Sequence, residues 1–297
     1  MFHVEHLQMK NNRSELSVHL KAKDHLISEE EFSLLHDPDL NMLYTDPVPA
    51  ELSKYYDSKE YISHTDSKKT LVDRVYQIVK KRALASKISL VESYVMGERI
   101  LLDIGAGTGD FVQTAKKRNW QASGIETSEK ARALARNKEI QLMDSRPGGV
   151  IPRPTVITLW HVLEHLPDPQ EYLNWIHTQL QTNGVLIIAV PNFKSWDANH
   201  YKEFWAAYDV PRHLWHFSKE SIEKLTHEIF TLEEVRPMIF DAYYVSMLSE
   251  KYKTGKSNLI QAFFNGFRSN MAAWRTKEYS SLIYVLRKQQ KEPLNTP

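Results

Sequence analysis

Two stretches, ILLDI (100–104) and GVLIIAV (184–190), are apolar nearly end to end yet no longer than a strand. A strand in a half-exposed sheet alternates apolar and polar residues; one without alternation needs cover on both faces. The segments around them supply that cover. DFVQTAKKRNW (110–120), EKARALARNK (129–138), PQEYLNWIHTQLQTNG (169–184) and SKESIEKLTHEIF (218–230) repeat apolar residues at helical spacing. The third should close at Gly184, after Asn183. Between them lie further strand-like runs: QASGIE (121–126), EIQLMD (139–144), TVITLWHV (155–162), then TLEEVRPMIF (231–240) and SSLIYVLRK (280–288). Alternation of this kind predicts an α/β fold: a Rossmann-like open sheet of about seven strands, mostly parallel with an antiparallel late strand, helices on both faces and right-handed crossovers.

The rest of the chain is arranged around that unit. Residues 1–64 are polar and proline-punctuated, with four tyrosines (Tyr44, Tyr55, Tyr56, Tyr61) to bury; they read as an arm lying on the domain that spans 65–297. Leu71, Val72, Val75, Ile78 and Val79 open that domain with a helix, Asp66 or Ser67 being the N-cap. Residues 244–278 read as a basic helical insertion.

Lys and Arg number 38 against 37 Asp and Glu, so no global field favours nucleic acid or a membrane surface. The chain has no cysteine, which removes disulfides, thiol catalysis and thiolate-bound zinc. It has no apolar run near the roughly 18 residues of a membrane span. A cytoplasmic protein is expected.

LLDIGAGTGDF (101–111) carries the chemistry. A strand, then glycines, then a helix sets bare backbone amides at a helix N-terminus. Gly105, Gly107 and Gly109 alternate strictly, unlike the G-x-G-x-x-G of dinucleotide sites, and no Gly-Lys-Ser/Thr follows as in a P-loop. Asp103 and Asp110 flank the loop and would repel a pyrophosphate; an acid suits a ligand with an ammonium group. Glu126 ends the next strand, where a carboxylate can accept hydrogen bonds from both hydroxyls of a ribose.

LLDIGAGTGDF, GIETS, VITLWHVLEHLPDP and GVLIIAVPN, in that order, resemble the successive motifs of class I S-adenosylmethionine-dependent methyltransferases over roughly residues 98–235. The arm TDPVPAELSKYYDSKEYISH and the segment DVPRHLWHFSKESI are similar to those of a bacterial subgroup related to ubiquinone-pathway O-methyltransferases. The resemblance implies S-adenosylmethionine as cofactor. Gly105, Ala106, Gly107 and Gly109 would lie against its methionine moiety and ribose. Asp103 would sit near the amino group, Glu126 and Thr127 at the ribose, Asp144 near the adenine amino group and Trp160 at the methionine end. Where many relatives open the arm with a Cys-x-x-Cys pair, this chain has His36 and Asp39.

WHVLEHLPDP (160–169) falls at the carboxyl end of the fourth strand and has three readings. His161 or His165 is a general base, a role suited to histidine near neutrality. Alternatively His161, Glu164 and His165, with a distant histidine, hold a divalent metal. This resembles the Glu-x-x-Glu-His element of some ubiquinone-pathway and small-RNA methyltransferases, with His161 in the first acidic position. Or the segment only packs, with Leu163 and Leu166 inward and Pro167 starting the next helix. No metal is assigned.

Residues 193–217 hold eight aromatic side chains and read either as a lid over an acceptor site or as a satellite core. His213 joins His161 and His165 as a candidate base. Arg212 would hold an anionic group of the acceptor or pair with Asp209. Lys251, Lys253, Lys256, Arg268, Arg275 and Lys277, with no acid among residues 251–277, mark a solvated helical face or a mouth for an anionic substrate. The expectation is methyl transfer to a small-molecule acceptor, through oxygen before nitrogen or carbon, and that acceptor could be anionic or aromatic. The rivals are a non-catalytic S-adenosylmethionine-binding relative and an NAD-type dehydrogenase on a similar sheet. Nucleic acid is the least favoured partner.

Overall fold

The computed structural model describes residues 16–56, 71–150, 152–256 and 258–290, with backbone alone for 71–79. The candidate N-cap at Asp66 or Ser67, and Tyr61, lie outside the described residues.

Strands β1 (Ser17–Lys23), β2 (Glu31–Asp37) and β3 (Met42–Asp46) form an antiparallel meander. Helix α1 (Leu71–Tyr94) leads into β4 (Ile100–Ile104), α2 (Asp110–Lys117), β5 (Gln121–Ile125), α3 (Glu129–Arg136), β6 (Val156–Trp160) and α4 (Pro169–Gln179). After β7 (Val185–Pro191) come α5 (Trp196–Tyr201), β8 (Trp215–His216), α6 (Lys219–Thr226), β9 (Phe230–Pro237), α7 (Asp241–Thr254), α8 (Leu259–Thr276) and β10 (Ser281–Lys288). The main sheet runs β5-β4-β6-β7-β10-β9. Strands β4 to β7 are parallel and β10 is antiparallel to both neighbours. Every residue of β7 is buried, as its unbroken apolar run requires.

Three local expectations need correction. EIQLMD is not a strand: the segment touches β5 through a single bridge, Ile125 to Met143, which leaves six strands in the main sheet among the described residues. Helix α4 stops at Gln179, and Gly184 is not its cap; Asn183 instead takes the left-handed turn, at φ 62°. Its start is Pro169 rather than Pro167, with Asp168 as N-cap accepting from the Glu171 amide.

The N-terminal arm holds more regular structure than the sequence announced. Its meander is completed by β8, Leu43 pairing with His216 and Tyr44 with Trp215. This second sheet and the aromatic segment bury a satellite core of Leu34, Leu43, Phe193, Tyr201, Trp205 and Tyr208. Of the eight aromatics in residues 193–217, Phe193, Tyr201, Trp205 and Tyr208 are buried in this satellite core and Trp215 and Phe217 in the main one, while Trp196 and Phe204 are half-buried. A buried acid organises it: Asp197 accepts from Trp205 Nε1 (2.8 Å), Ser269 Oγ (2.7 Å) and Ser280 Oγ (2.7 Å).

Candidate active site

The chain leaves β4, crosses to β5 on one side and returns to β6 on the other, so a crevice opens at the carboxyl ends of β4 and β6. The glycine loop rims it. All three loop glycines have positive φ, which side chains other than glycine's adopt at a cost. At Gly105 (φ 69°) a Cβ would come 2.3 Å from Val162 Cγ2, so the loop presses directly on the chain after β6. At Gly107 (φ 53°) a Cβ would meet nothing within 4 Å: the loop's open side is a cradle. Gly107 N–H donates to Glu126 Oε2 (2.8 Å), and Glu126 Oε1 accepts from Ser128 N–H (2.8 Å). Ala106 is buried and its N–H binds the Ile125 carbonyl, locking the loop to β5. Thr127 and Asp144 are exposed beyond the ends of β5 and the Met143 bridge, on the same rim as Glu126.

Asp103 lies under the loop, buried, with Thr158 Oγ1 donating to its Oδ1 at 2.6 Å. Burial pushes its carboxyl up to about 7, against the Thr158 hydrogen bond and the nearby Lys87 charge. Asp110 differs. Lys80 (2.8 Å) and Lys138 (2.9 Å) both pair with it, and these hydrogen bonds outweigh burial to hold its pKa below the usual range. It is a structural tie, which leaves Asp103 as the flanking acid without a basic partner in hydrogen-bond contact among the described residues. Trp160 stands across from the loop, edge-on to Phe111, with the Lys87 ammonium 4.4 Å from its ring centroid. Burial lowers the Lys87 pKa, opposed by Asp103 and Asp241.

His161 follows β6 at φ 58°. Its Nε2 lies 3.2 Å from Asp241 Oδ2 and its Nδ1 3.4 Å from Glu164 Oε1. Burial alone would lower its pKa, but the two carboxylates outweigh it and raise it to about 9. Asp241, at the start of α7, is a site residue that sequence reasoning missed; only its acid at a helix start hinted at it. Glu164 is 1% exposed, with its pKa held below the usual range by His161 and the other histidines against the effect of burial.

The three candidate bases do not form one cluster. His161 belongs to the crevice, a third exposed. His165 and His213 pack edge-to-face at 4.5 Å on the far side of Glu164. The Nδ1 of His165 faces the Arg212 carbonyl (3.0 Å) and that of His213 the Ala207 carbonyl (2.9 Å). A neutral ring that donates Nδ1–H to a carbonyl keeps its lone pair on Nε2. Burial holds His213 well below the usual histidine range, so it is neutral. One ligand atom from each of Glu164, His165 and His213 lies within 4.8 Å of the others, a carboxylate and two imidazoles able to hold a divalent ion. His213 is thus the distant histidine of the metal reading, and His161 stands outside that set.

Arg212 does not face an acceptor. It is 1% exposed, and its guanidinium binds Asp209 Oδ1 (2.7 Å), Asp24 Oδ1 (2.9 Å) and the Tyr55 carbonyl (3.1 Å). The pairing with Asp209 is the structural alternative weighed for it; Asp24, 188 residues away, was invisible to local reading.

A methyltransferase domain family model matches residues 79–229, half of the chain, over the glycine loop, Glu126 and the whole of β6 and β7. The chain therefore belongs to the methyltransferase domain family. It is a class I S-adenosylmethionine-dependent methyltransferase. The dehydrogenase alternative falls with that assignment. Solved structures share the fold at low identity. A chain of the Haloferax volcanii complex between the Trm112 methyltransferase activator and a methyltransferase superposes with a TM-score of 0.51 at 13% identity, over 73% of this chain and 94% of that one. Magnesium protoporphyrin IX methyltransferase from Synechocystis PCC 6803 gives 0.50 at 13% identity, over 80% and 93%. A search of curated protein sequences found no match.

Proposed function

We propose that the protein transfers the methyl group of S-adenosylmethionine to an oxygen of a small-molecule acceptor in the cytoplasm, with His161 as the base. The observation that carries this reading is the His161 geometry. It stands at the carboxyl end of β6 beside the cradle, partly open, between two carboxylates. To act as the base it keeps the buried Glu164 on Nδ1 as orienter and gives up Asp241 at Nε2, which then takes the acceptor's proton. His165 and His213 are turned toward backbone carbonyls instead. Bound in the cradle, the cofactor supplies an activated methyl on a sulfonium. The chain's own work is alignment, worth several kcal/mol, and removal of one proton. The fit is favourable: Gly107 leaves room, Glu126 offers a carboxylate to a diol, and buried Asp103 offers one to an ammonium. The resemblance of the arm and of DVPRHLWHFSKESI to ubiquinone-pathway O-methyltransferases supports an oxygen acceptor.

A base held near 9 is mostly protonated at neutral pH. Turnover, measured as S-adenosylhomocysteine formed from a panel of phenols and alcohols, should rise about tenfold per pH unit up to about pH 9. Asp241→Asn should move the break toward lower pH, and His161→Gln should abolish it. A His161→Gln enzyme with the parental rate and profile would sink the assignment. Tight cofactor binding with no turnover on any acceptor would make the chain a non-catalytic relative. A second reading, favoured by the Glu164–His165–His213 trio, adds a divalent metal; the same assay with EDTA and with added Mn2+ tests it.

Asp103 makes a separate prediction. With its carboxyl near 7 in the free protein, it carries a proton below that pH. An ammonium ligand favours the ionised form. The affinity for S-adenosylhomocysteine should therefore be flat above pH 7 and fall by up to about tenfold per unit below it. Calorimetry from about pH 5.5 to about pH 8.5 checks this. Asp103→Asn should flatten the curve; an unchanged slope in that variant would refute the placement.

A further inference from the structure

Helix α8 is inside out for a surface helix. Its buried residues are small or polar: Ala262, Asn265, Gly266, Ser269 and Ala273. They are so because they serve the satellite core. Asn265 Nδ2 donates to Glu250 (3.0 Å) and to Tyr201 Oη (2.9 Å), and Gly266 lets the helix close on Tyr243. Its outer face carries Ile260, Phe263, Phe264, Phe267, Met271 and Trp274, each between 49% and 72% exposed. At 100° per residue these six fall within an arc of about 100°. Arg268 and Arg275, seven residues apart and both exposed, lie just beyond one border of it. Phe267, Met271 and Trp274 also share a shallow depression with Ile239 and Tyr243, so the patch continues onto the approach to α7.

The six basic residues of this stretch are exposed, and the apolar face lies beside them. A contiguous aromatic and aliphatic surface of this kind marks a binding face. Charge selects the occupant. Residues 251–277 hold six Lys and Arg and no acid, in a chain whose net charge is +1. A second copy docked about a twofold axis would bring this cationic border against itself. An anionic partner is favoured instead, and an aromatic-rich arc bordered by arginines matches the interfacial zone of a bilayer. No helix among the described residues is long and apolar enough to cross one.

We propose that α8 lies in the plane of an anionic lipid bilayer surface. Phe263, Phe264, Phe267 and Trp274 enter the head-group and acyl boundary, and Arg268 and Arg275 meet lipid phosphates. The proposal stands on the helix and is independent of the methyl acceptor.

The test is co-sedimentation of the full chain with vesicles of phosphatidylcholine alone, or with about 30% phosphatidylglycerol. Partitioning should be at least about tenfold stronger on the anionic vesicles at low salt, and should weaken as salt rises. Phe267→Glu/Trp274→Glu should lose about tenfold on those vesicles, and Arg268→Glu/Arg275→Glu should lose the preference for them. Both pairs are exposed, and retained S-adenosylhomocysteine binding reports an intact fold. Protein left in the supernatant, equal partitioning on both vesicles, or variants that bind like the parent would each overturn the proposal. So would a dimer in sedimentation equilibrium that Phe267→Glu dissolves, which would make the face a contact between copies.

Discussion

Arg212→Met should destabilise the protein by about 3–5 kcal/mol, the cost of leaving buried charges without their partner. Two carboxylates depend on this one guanidinium. Asp24, wholly buried, comes from the turn between β1 and β2, and Asp209 from the chain before β8. Methionine fills the space of the stem and offers neither acid a donor. Asp24 keeps only its local bonds, to the Leu26 and Ser28 amides and the Ser28 hydroxyl. Denaturant unfolding monitored by tryptophan fluorescence measures the loss. Adding Asp24→Asn should recover part of it, because the orphaned charge is then gone. The sign with pH follows from Asp24. Burial pushes its pKa up, but Arg212 and Ser28 outweigh that and set it below the usual value. Its contribution is therefore complete above about pH 4 and is lost as acid protonates it. A loss below about 1 kcal/mol would mean the pair is worth no more than a surface one.

Glu126→Ala should weaken S-adenosylhomocysteine binding about 100-fold while leaving the melting temperature nearly unchanged. Hydrogen bonds to a charged acceptor are worth about 1.5–3 kcal/mol each, and a ribose offers two hydroxyls. The variant also frees the Gly107 amide that Glu126 now holds, which loosens the cradle. Glu126→Gln retains one acceptor oxygen and should lose less. Calorimetry giving a change under about threefold for the alanine variant would remove Glu126 from the binding role.

The parts of this molecule that sequence revealed are those whose cause is local. An unbroken apolar run needs two covered faces wherever it lies, so β4 and β7 were readable. The alternating glycines and Glu126 fall within 22 residues of one another, and the structure brings them into hydrogen-bond contact. What stayed hidden depends on distant partners. EIQLMD has strand composition, but only Met143 pairs with β5, and the chain bends away after it. For Arg212 the sequence offered an anion site or a pair with Asp209; the pair is present, and Asp24 joins it from the other end of the chain. His161 was one of three interchangeable histidines until Asp241 faced it. In α8 the period was present, but a period does not say which face points inward. Charge drew the eye to the basic residues, while the buried acids Asp197 and Glu250 claimed the small polar side for the interior.

The second sheet closes only when Trp215 and His216 reach Tyr44 and Leu43. A ribosome must therefore deliver some 170 further residues after β3 before that edge finds its neighbour, and contacts so remote in sequence form late. Until then the newborn meander carries an open flank able to zip onto another nascent chain, and a transcript truncated anywhere before codon 215 would leave that flank permanently bare.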